Sequence, residues 1–537
     1  EKYYRNRIHG DGVSNNGAVD ELNNRNINLV WQNSIEYLWD LNADNSFSFR
    51  GISETQKNTY EYLNAYGTGF AVDGRYNLNA AANPQAVNGI TTDWGVQSFT
   101  GLVNYGYQNK LYTDLSLRYE GNSRFSSDNR WGTFWSAGLA YILTEEEFFQ
   151  NLNWLDYLRA RVSYGKTGNA DIGLNQYQPL AAFGSYNNQP NIVVDQLGNP
   201  DLSWETAYSL DLALEFEVFD FLNGGLTYFH KNSKDLLFSV PLSRTTGHTS
   251  EVRNIGELYN EGLELELNMI LLRTQNYSWN VGGNMTTIKN KVTDLPTDND
   301  GNPIEIITGT RYTAVEGYEV NAWYMREWAG VDPENGDPLW YMDEVDENGN
   351  VTGRTTTNSY NQADTYYQGG NAQPNFFGEL NTRVDVRDFY VSANLYYEFG
   401  RKVFDGWASY MRSDGQYIGA FGQYARQADR WQQPGDIAEN PRPVPGGNLN
   451  SNQSSSRFLY DADHLRLTNL TVGYNLPVNV IQNIGLSSAT VYFQGRNLWT
   501  HTFDDDLKAD PNVGAEGFLD LFAPPLKSVT FGINFNF

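Results

Sequence analysis

The last ten residues of the chain alternate without a break. Val529, Phe531, Ile533, Phe535 and Phe537 are apolar, whereas Ser528, Thr530, Gly532, Asn534 and Asn536 are small or polar. The same period of two recurs upstream. Leu210, Leu212, Leu214, Phe216 and Val218 alternate with Asp211, Ala213, Glu215 and Glu217, and Leu263, Leu265, Leu267 and Met269 alternate with Glu264, Glu266 and Asn268. Leu158, Ala160, Val162 and Tyr164 follow the rule, as do Phe389, Val391, Ala393, Leu395 and Tyr397; Leu29, Trp31, Ile35, Tyr37, Trp39 and Leu41 share one parity. A period of two places one set of side chains on each face of a β-strand.

Segment length and connections separate a soluble sandwich from a membrane wall. The alternating segments run ~9–14 residues, against ~5–6 for an ordinary strand and ~9–11 for a tilted strand that crosses a bilayer. Short connections lie near 42–45, 108–110, 220–223, 274–277 and 384–388. Long ones lie near 58–94, 166–202, 232–253, 291–373, 403–460 and 500–525. Short turns alternating with long loops are the mark of an outer-membrane barrel, with the turns in the periplasm and the loops outside. The pattern therefore predicts an all-β, transmembrane antiparallel β-barrel of about 15 strands, or 16 if residues 2–8 form one.

Composition sharpens this picture. Aromatic residues make up 15% of the 537 residues, and the low share of apolar residues leaves no run long enough for a spanning helix. A barrel is compatible with that, since only alternate residues meet lipid. A net charge of -27 excludes nucleic acid as partner, because phosphate binding needs clustered Lys and Arg. Cysteine is absent, which excludes thiolate metal sites and suits an oxidising compartment. The opening residues lack the apolar core of a signal peptide.

Chemical motifs add little. Residues 164–169, YGKTGN, lack the leading glycine of a phosphate loop, because Ala160 stands there. Residues 344–353, EVDENGNVTG, offer Glu344, Asp346 and Asn348 as calcium ligands, but Thr355 replaces the closing glutamate, and a hairpin turn on Asn348-Gly349 fits better. His9, His230, His248, His464 and His501 form no metal or catalytic spacing. Residues 144–149, TEEEFF, read as a short interfacial helix with Thr144 as N-cap and Phe148 and Phe149 on the rim. No enzyme and no cofactor are expected. Trp323, Tyr324, Trp328, Trp340 and Tyr341, in the longest loop, are the candidates for stacking on a sugar or clamping a peptide.

Several long motifs then resemble one family. SLRYEGNSRFSSDNRWGTFWSAGLAYILTEEEFF (116–149), LRARVSYGKTGN (158–169), NPDLSWETAYSLDLALEF (199–216), NIGELYNEGLELELN (254–268), EWAGVDPENGDPLWY (327–341), LRLTNLTVGYNLP (465–477) and VYFQGRNLWT (491–500) are similar to SusC/RagA-type TonB-dependent outer-membrane transporters of Bacteroidota. The resemblance implies a barrel of about 22 strands. It implies that residues 1–537 are its C-terminal part, with the N-terminal extension, plug and first strands upstream. It implies import of an oligosaccharide or oligopeptide, with a SusD-like lipoprotein as lid and TonB–ExbB–ExbD acting through the missing N-terminal region. Phe535 and Phe537 resemble the terminal signal read by the outer-membrane assembly machinery. Two alternatives stay open: a passive porin of about 16 strands, and the barrel of an adhesin or secretion complex.

Overall fold

A computed structural model describes residues 1–75, 77–187, 189–297, 312–482, 485–520 and 523–537. Sixteen strands hydrogen-bond in chain order into one sheet. They are β1 (Lys2–Arg5), β2 (Ala18–Asn42), β3 (Asn45–Phe70), β4 (Ala81–Tyr107), β5 (Leu111–Asn122), β6 (Trp131–Ile142), β7 (Leu155–Asn169), β8 (Glu205–Val218), β9 (Leu222–Lys234), β10 (Glu257–Arg273), β11 (Tyr277–Asp294), β12 (Phe376–Val386), β13 (Phe389–Phe399), β14 (His464–Asn475), β15 (Ser488–Thr502) and β16 (Ser528–Asn536). The pairs from β1 to β5 and from β10 to β16 are antiparallel. The contacts divide the chain into two units: residues 1–139, 163–208 and 233–255, and residues 140–162, 209–232 and 256–537.

The alternation seen in the sequence fixes the two faces of the sheet. Leu212 and Leu214 are 44% and 45% exposed on one face of β8, whereas Glu215, on the other, meets Arg159 of β7 at 3.4 Å and Arg161 at 3.7 Å. Val529, Phe531, Ile533, Phe535 and Phe537 are all exposed on one face of the last strand. A soluble sheet would bury such a face; here the apolar face is the open one.

Three strands run well beyond the expected length. β2, β3 and β4 hold 25, 26 and 27 residues, and the connection expected at 58–94 shrinks to residues 71–80. Their far halves mix polar residues with scattered apolar ones such as Leu63, Val87 and Ile90, so the strict hydrophobic alternation that marks a membrane strand is broken there. Cross-strand amides replace it: Asn58 donates to Asn26 at 2.7 Å, Gln56 to Asn28 at 2.9 Å and Asn64 to Asp20 at 2.6 Å. The expected interfacial helix is also shorter than predicted. Residues Leu143–Glu145 make one 3-10 turn with Ile142 at the N-cap position and no side-chain cap, and the Thr144 hydroxyl accepts from the Leu158 amide instead of capping.

The long connections carry structure of their own. In the first unit, residues Leu180–Tyr186 pair with Gln189–Gln196, and Leu237–Pro241 with Ser250–Asn254. Beneath them Phe125, Phe134, Ile172, Leu202 and Trp204 form a buried cluster, in which the Trp204 indole donates to the Arg130 carbonyl at 3.0 Å. In the second unit the loops build a larger body.

Candidate functional site

Three connections of the second unit, following β11, β13 and β15, fold into one body with three small sheets. The first joins Tyr312–Thr313, Ala322–Arg326 and Thr365–Asn371; the second joins Trp328–Val331, Pro338–Val345 and Val351–Thr357. In the third, Lys402–Asp405 pairs antiparallel with Leu459–Asp461 and parallel with Phe518–Leu519. Trp323, Met325, Ala372, Phe404, Ala408 and Phe458 form its main core, drawn from two of these connections, with Phe518 of the third packed against it. Loops this long are ordered because they bury side chains against one another, which offsets the entropy of fixing them.

A chain of ion pairs holds the same body together. Asp414, wholly buried, accepts two bonds from Arg457, at 2.5 and 3.1 Å, together with one from Ser451 at 2.5 Å and one from Gln427 at 2.9 Å. Arg457 and Arg412 share the Asn440 side-chain oxygen. Arg412 reaches Glu439 at 2.7 Å, and Glu439 accepts from Arg426, which pairs with Asp506 at 2.8 Å in the last long connection. Arg457 also lies 4.8 Å over the Trp328 ring, tying in the first connection. Burial lowers the Arg412 pKa, and the neighbouring Arg457 charge lowers it further.

Asp405 is expected to give the body a pH dependence. Burial raises its carboxyl above the ordinary range, opposed by the backbone N–H groups of Ala408 and Trp407 and by the charge of Arg412. A raised folded value means that the stabilisation is complete below the unfolded value and is lost as pH rises through the folded one. Cleavage of residues 406–457 by a protease is therefore expected to slow as pH falls from about 7 towards the carboxylate range, and Asp405→Asn to flatten that profile. An unchanged slope in Asp405→Asn would contradict the assignment.

The structure separates the sequence candidates. Trp323 and Trp340 are fully buried and offer no face to a ligand: Trp323 packs against Tyr312 and Phe404, and Trp340 against Trp328 and Tyr360. Their expected ligand role is corrected on that ground. Loop tryptophans look alike in sequence whether they face solvent or a loop core. Trp328 is half-buried under Arg457. Tyr341 remains partly exposed with the Arg354 guanidinium 4.4 Å over its ring, and the same guanidinium lies 4.1 Å over the Tyr366 ring. Burial and a bond to Asp343 push the Tyr366 hydroxyl up to about 12. Tyr324 packs on Tyr367, which stacks flat on the exposed Tyr318 at 3.9 Å. Neither Arg354, Tyr366 nor Tyr318 was legible as a surface group, because a register had to bring them to their partners.

A second surface group gathers in the connection after β13. Tyr410, Tyr417 and Phe421 lie 5.1–5.7 Å apart, Trp407 joins Tyr410 at 6.2 Å, and Ile418 and Phe421 are 64% and 41% exposed. The polar face of the sheet in this unit carries a recess of about 560 Å³ lined by Arg161, Glu215, Glu217, Glu264, Glu266 and Asn268. Among the described residues no cluster of His, Cys, Asp and Glu has metal-binding geometry. Residues 345–351 form the hairpin turn: the Asp346 carboxylate accepts from the Asn350 side-chain amide and from the backbone amides of Asn350 and Asn348, which lowers its pKa.

The family described as "TonB dependent receptor-like, beta-barrel" matches residues 2–370. The chain belongs to that family. Among relatives of this receptor barrel, TonB-dependent receptor P26 of Formosa agariphila is 28% identical over 98% of this chain and 54% of its own length. TonB-dependent receptor SusC of Bacteroides thetaiotaomicron is 28% identical over 83% of this chain and 44% of its own. The solved structure of the RagAB peptide transporter superposes with a TM-score of 0.83 at 25% identity, over 96% of this chain and 56% of that one. The chain thus spans about half the length of the curated relatives it matches. It is a TonB-dependent receptor barrel, similar to SusC in sequence and to the RagAB peptide transporter in structure.

Proposed function

We propose that this chain is the C-terminal barrel portion of an outer-membrane importer energised through TonB. Its substrate is an oligopeptide or oligosaccharide, captured beneath a SusD-like lipoprotein lid on the long loops. The observation that carries the reading is the pairing of an exposed apolar sheet face with a folded loop body that presents an aromatic surface patch. The RagAB likeness supports peptide cargo and a second subunit. The length of the relatives supports a plug and further strands in the same polypeptide, with TonB–ExbB–ExbD contacting that region. No covalent step is needed, so the reading assigns no catalytic residue.

The lid is tested at the patch of Ile418 and Phe421. Deleting the whole connection would also remove Asp414 and expose the core, so point changes are the sharper probe. Ile418→Asp with Phe421→Asp in the full-length protein is expected to reduce co-purified lipoprotein at least tenfold, since apolar anchors dominate interfaces of this kind. The barrel should keep its heat-resistant migration on a gel. Undiminished co-purification, or none with the unaltered protein, would reject the lid.

A further inference from the structure

The lipid-side face of β2–β5 is not evenly covered. At its middle Gly51 of β3 pairs with Gly101 of β4, so two neighbouring strands lack a side chain at one level. The result is a furrow of about 620 Å³, lined mainly by apolar atoms. Ile35, Phe99, Leu117 and Tyr119 form its walls, all on the parity that carries the exposed Trp31, Tyr37 and Trp39. A Cβ on Gly101 would meet nothing within 4 Å, and one on Gly51 only Ile35 at 3.5 Å. The space is real, and neither glycine is demanded by its backbone.

A cation stands beyond the furrow on the same face of β3. Along the same face of β3 the side chains after Gly51 are Ser53, Thr55 and Lys57, and Lys57 is exposed beside Leu29 of β2. Gly51 to Lys57 is about 20 Å along the strand at ~3.3 Å per residue. With a strand tilt of ~40° that is about 15 Å of depth, half of a ~30 Å hydrocarbon core. Trp31, facing Thr55 one step inward of Lys57, is 71% exposed where an interfacial aromatic belongs.

We propose that this furrow holds one acyl chain of an anionic membrane lipid, with the Lys57 ammonium on the headgroup phosphate. The inference rests on the outer-membrane reading above. Three features commit it to a lipid. The furrow is continuous with the apolar face, the small side chains of Ser53 and Thr55 extend it along β3 to about one leaflet's depth, and Lys57 is the first charged side chain met along that face of β3, at the headgroup end where a phosphate would sit. A straight acyl chain fills a narrow groove between ridges of Ile35, Phe99 and Leu117, and gains dispersion contacts that it would lack against a full wall.

The test uses the full-length polypeptide in nanodiscs of equal phosphatidylglycerol and phosphatidylcholine, released for native mass spectrometry. The unaltered protein is expected to retain one phosphatidylglycerol in preference to phosphatidylcholine. Gly51→Leu with Gly101→Leu should lower that retained fraction at least fivefold, while Lys57→Gln should leave one retained lipid but abolish the headgroup preference. Heat-resistant gel migration of each variant shows that the barrel has formed; a protein that never enters the nanodisc defeats the membrane reading itself. Equal lipid retention in the unaltered and leucine variants would overturn the proposal. So would a dimer of the unaltered protein that the leucine pair dissolves, which would assign the furrow to a second copy.

Discussion

Leu212→Arg is expected to cost about 2–4 kcal/mol of barrel stability, the penalty for an arginine at mid-bilayer on a lipid-facing wall. Leu212 lies midway along β8, between Glu205 at the loop end and Val218 at the turn end, and it is 44% exposed on the apolar face. The neutral comparison is Glu217→Gln, on the opposite face and likewise exposed. Glu215 is unsuitable, because its carboxylate bridges Arg159 and Arg161, and an arginine there would gather three like charges. Urea unfolding of the full-length protein in lipid vesicles measures both variants. A small cost for Leu212→Arg, within about 0.5 kcal/mol of the Glu217→Gln value, would mean that the faces are inverted or that the sheet does not meet lipid.

Arg457→Met is expected to loosen the loop body by about 3–5 kcal/mol, because it strands the buried Asp414 carboxylate without its cation. The pair sits at the centre: the Arg457 and Asp414 side chains are 1% and 0% exposed, and the same guanidinium also serves Asn440 and covers Trp328. Asp414→Asn added to Arg457→Met should recover part of the loss, since replacing both charges of a buried pair is far milder than removing one. Protease cleavage within residues 406–457 reads the change, against unaltered heat resistance of the sixteen strands. If Arg457→Met is cleaved no faster than the unaltered protein, the ion-pair chain does not hold the loops.

The sheet was legible because a membrane wall obeys a strict rule along each strand. Val529 to Phe537 and Leu210 to Val218 show it: one face must be apolar whatever residues fill the other. The short strand Lys2–Arg5, expected only provisionally, completes the sixteen. The far halves of β2–β4 escaped, since Asn23, Arg25 and Asn58 break the apolar stripe there, and cross-strand pairs such as Asn58–Asn26 and Arg25–Glu61 take its place. The loop body was illegible for another reason. Asp414 and Arg457 are 43 positions apart, and each alone reads as a solvated charge. Trp323 and Trp340 gave an aromatic signal without a face, and only packing showed them to be core. Gly51 and Gly101 became meaningful once the register of β3 and β4 paired them.

The central claim is that this barrel belongs to an energised importer and not to a passive pore. The direct test is uptake by cells that express the full-length protein with the SusD-like lipoprotein proposed as its lid, supplied with a mixed oligopeptide pool and a mixed oligosaccharide pool. Depletion of each pool is followed by mass spectrometry, with and without a protonophore. The account predicts saturable depletion of a subset of one pool that stops when the proton gradient collapses. Depletion that stays linear with concentration and continues under the protonophore would contradict it and favour the porin.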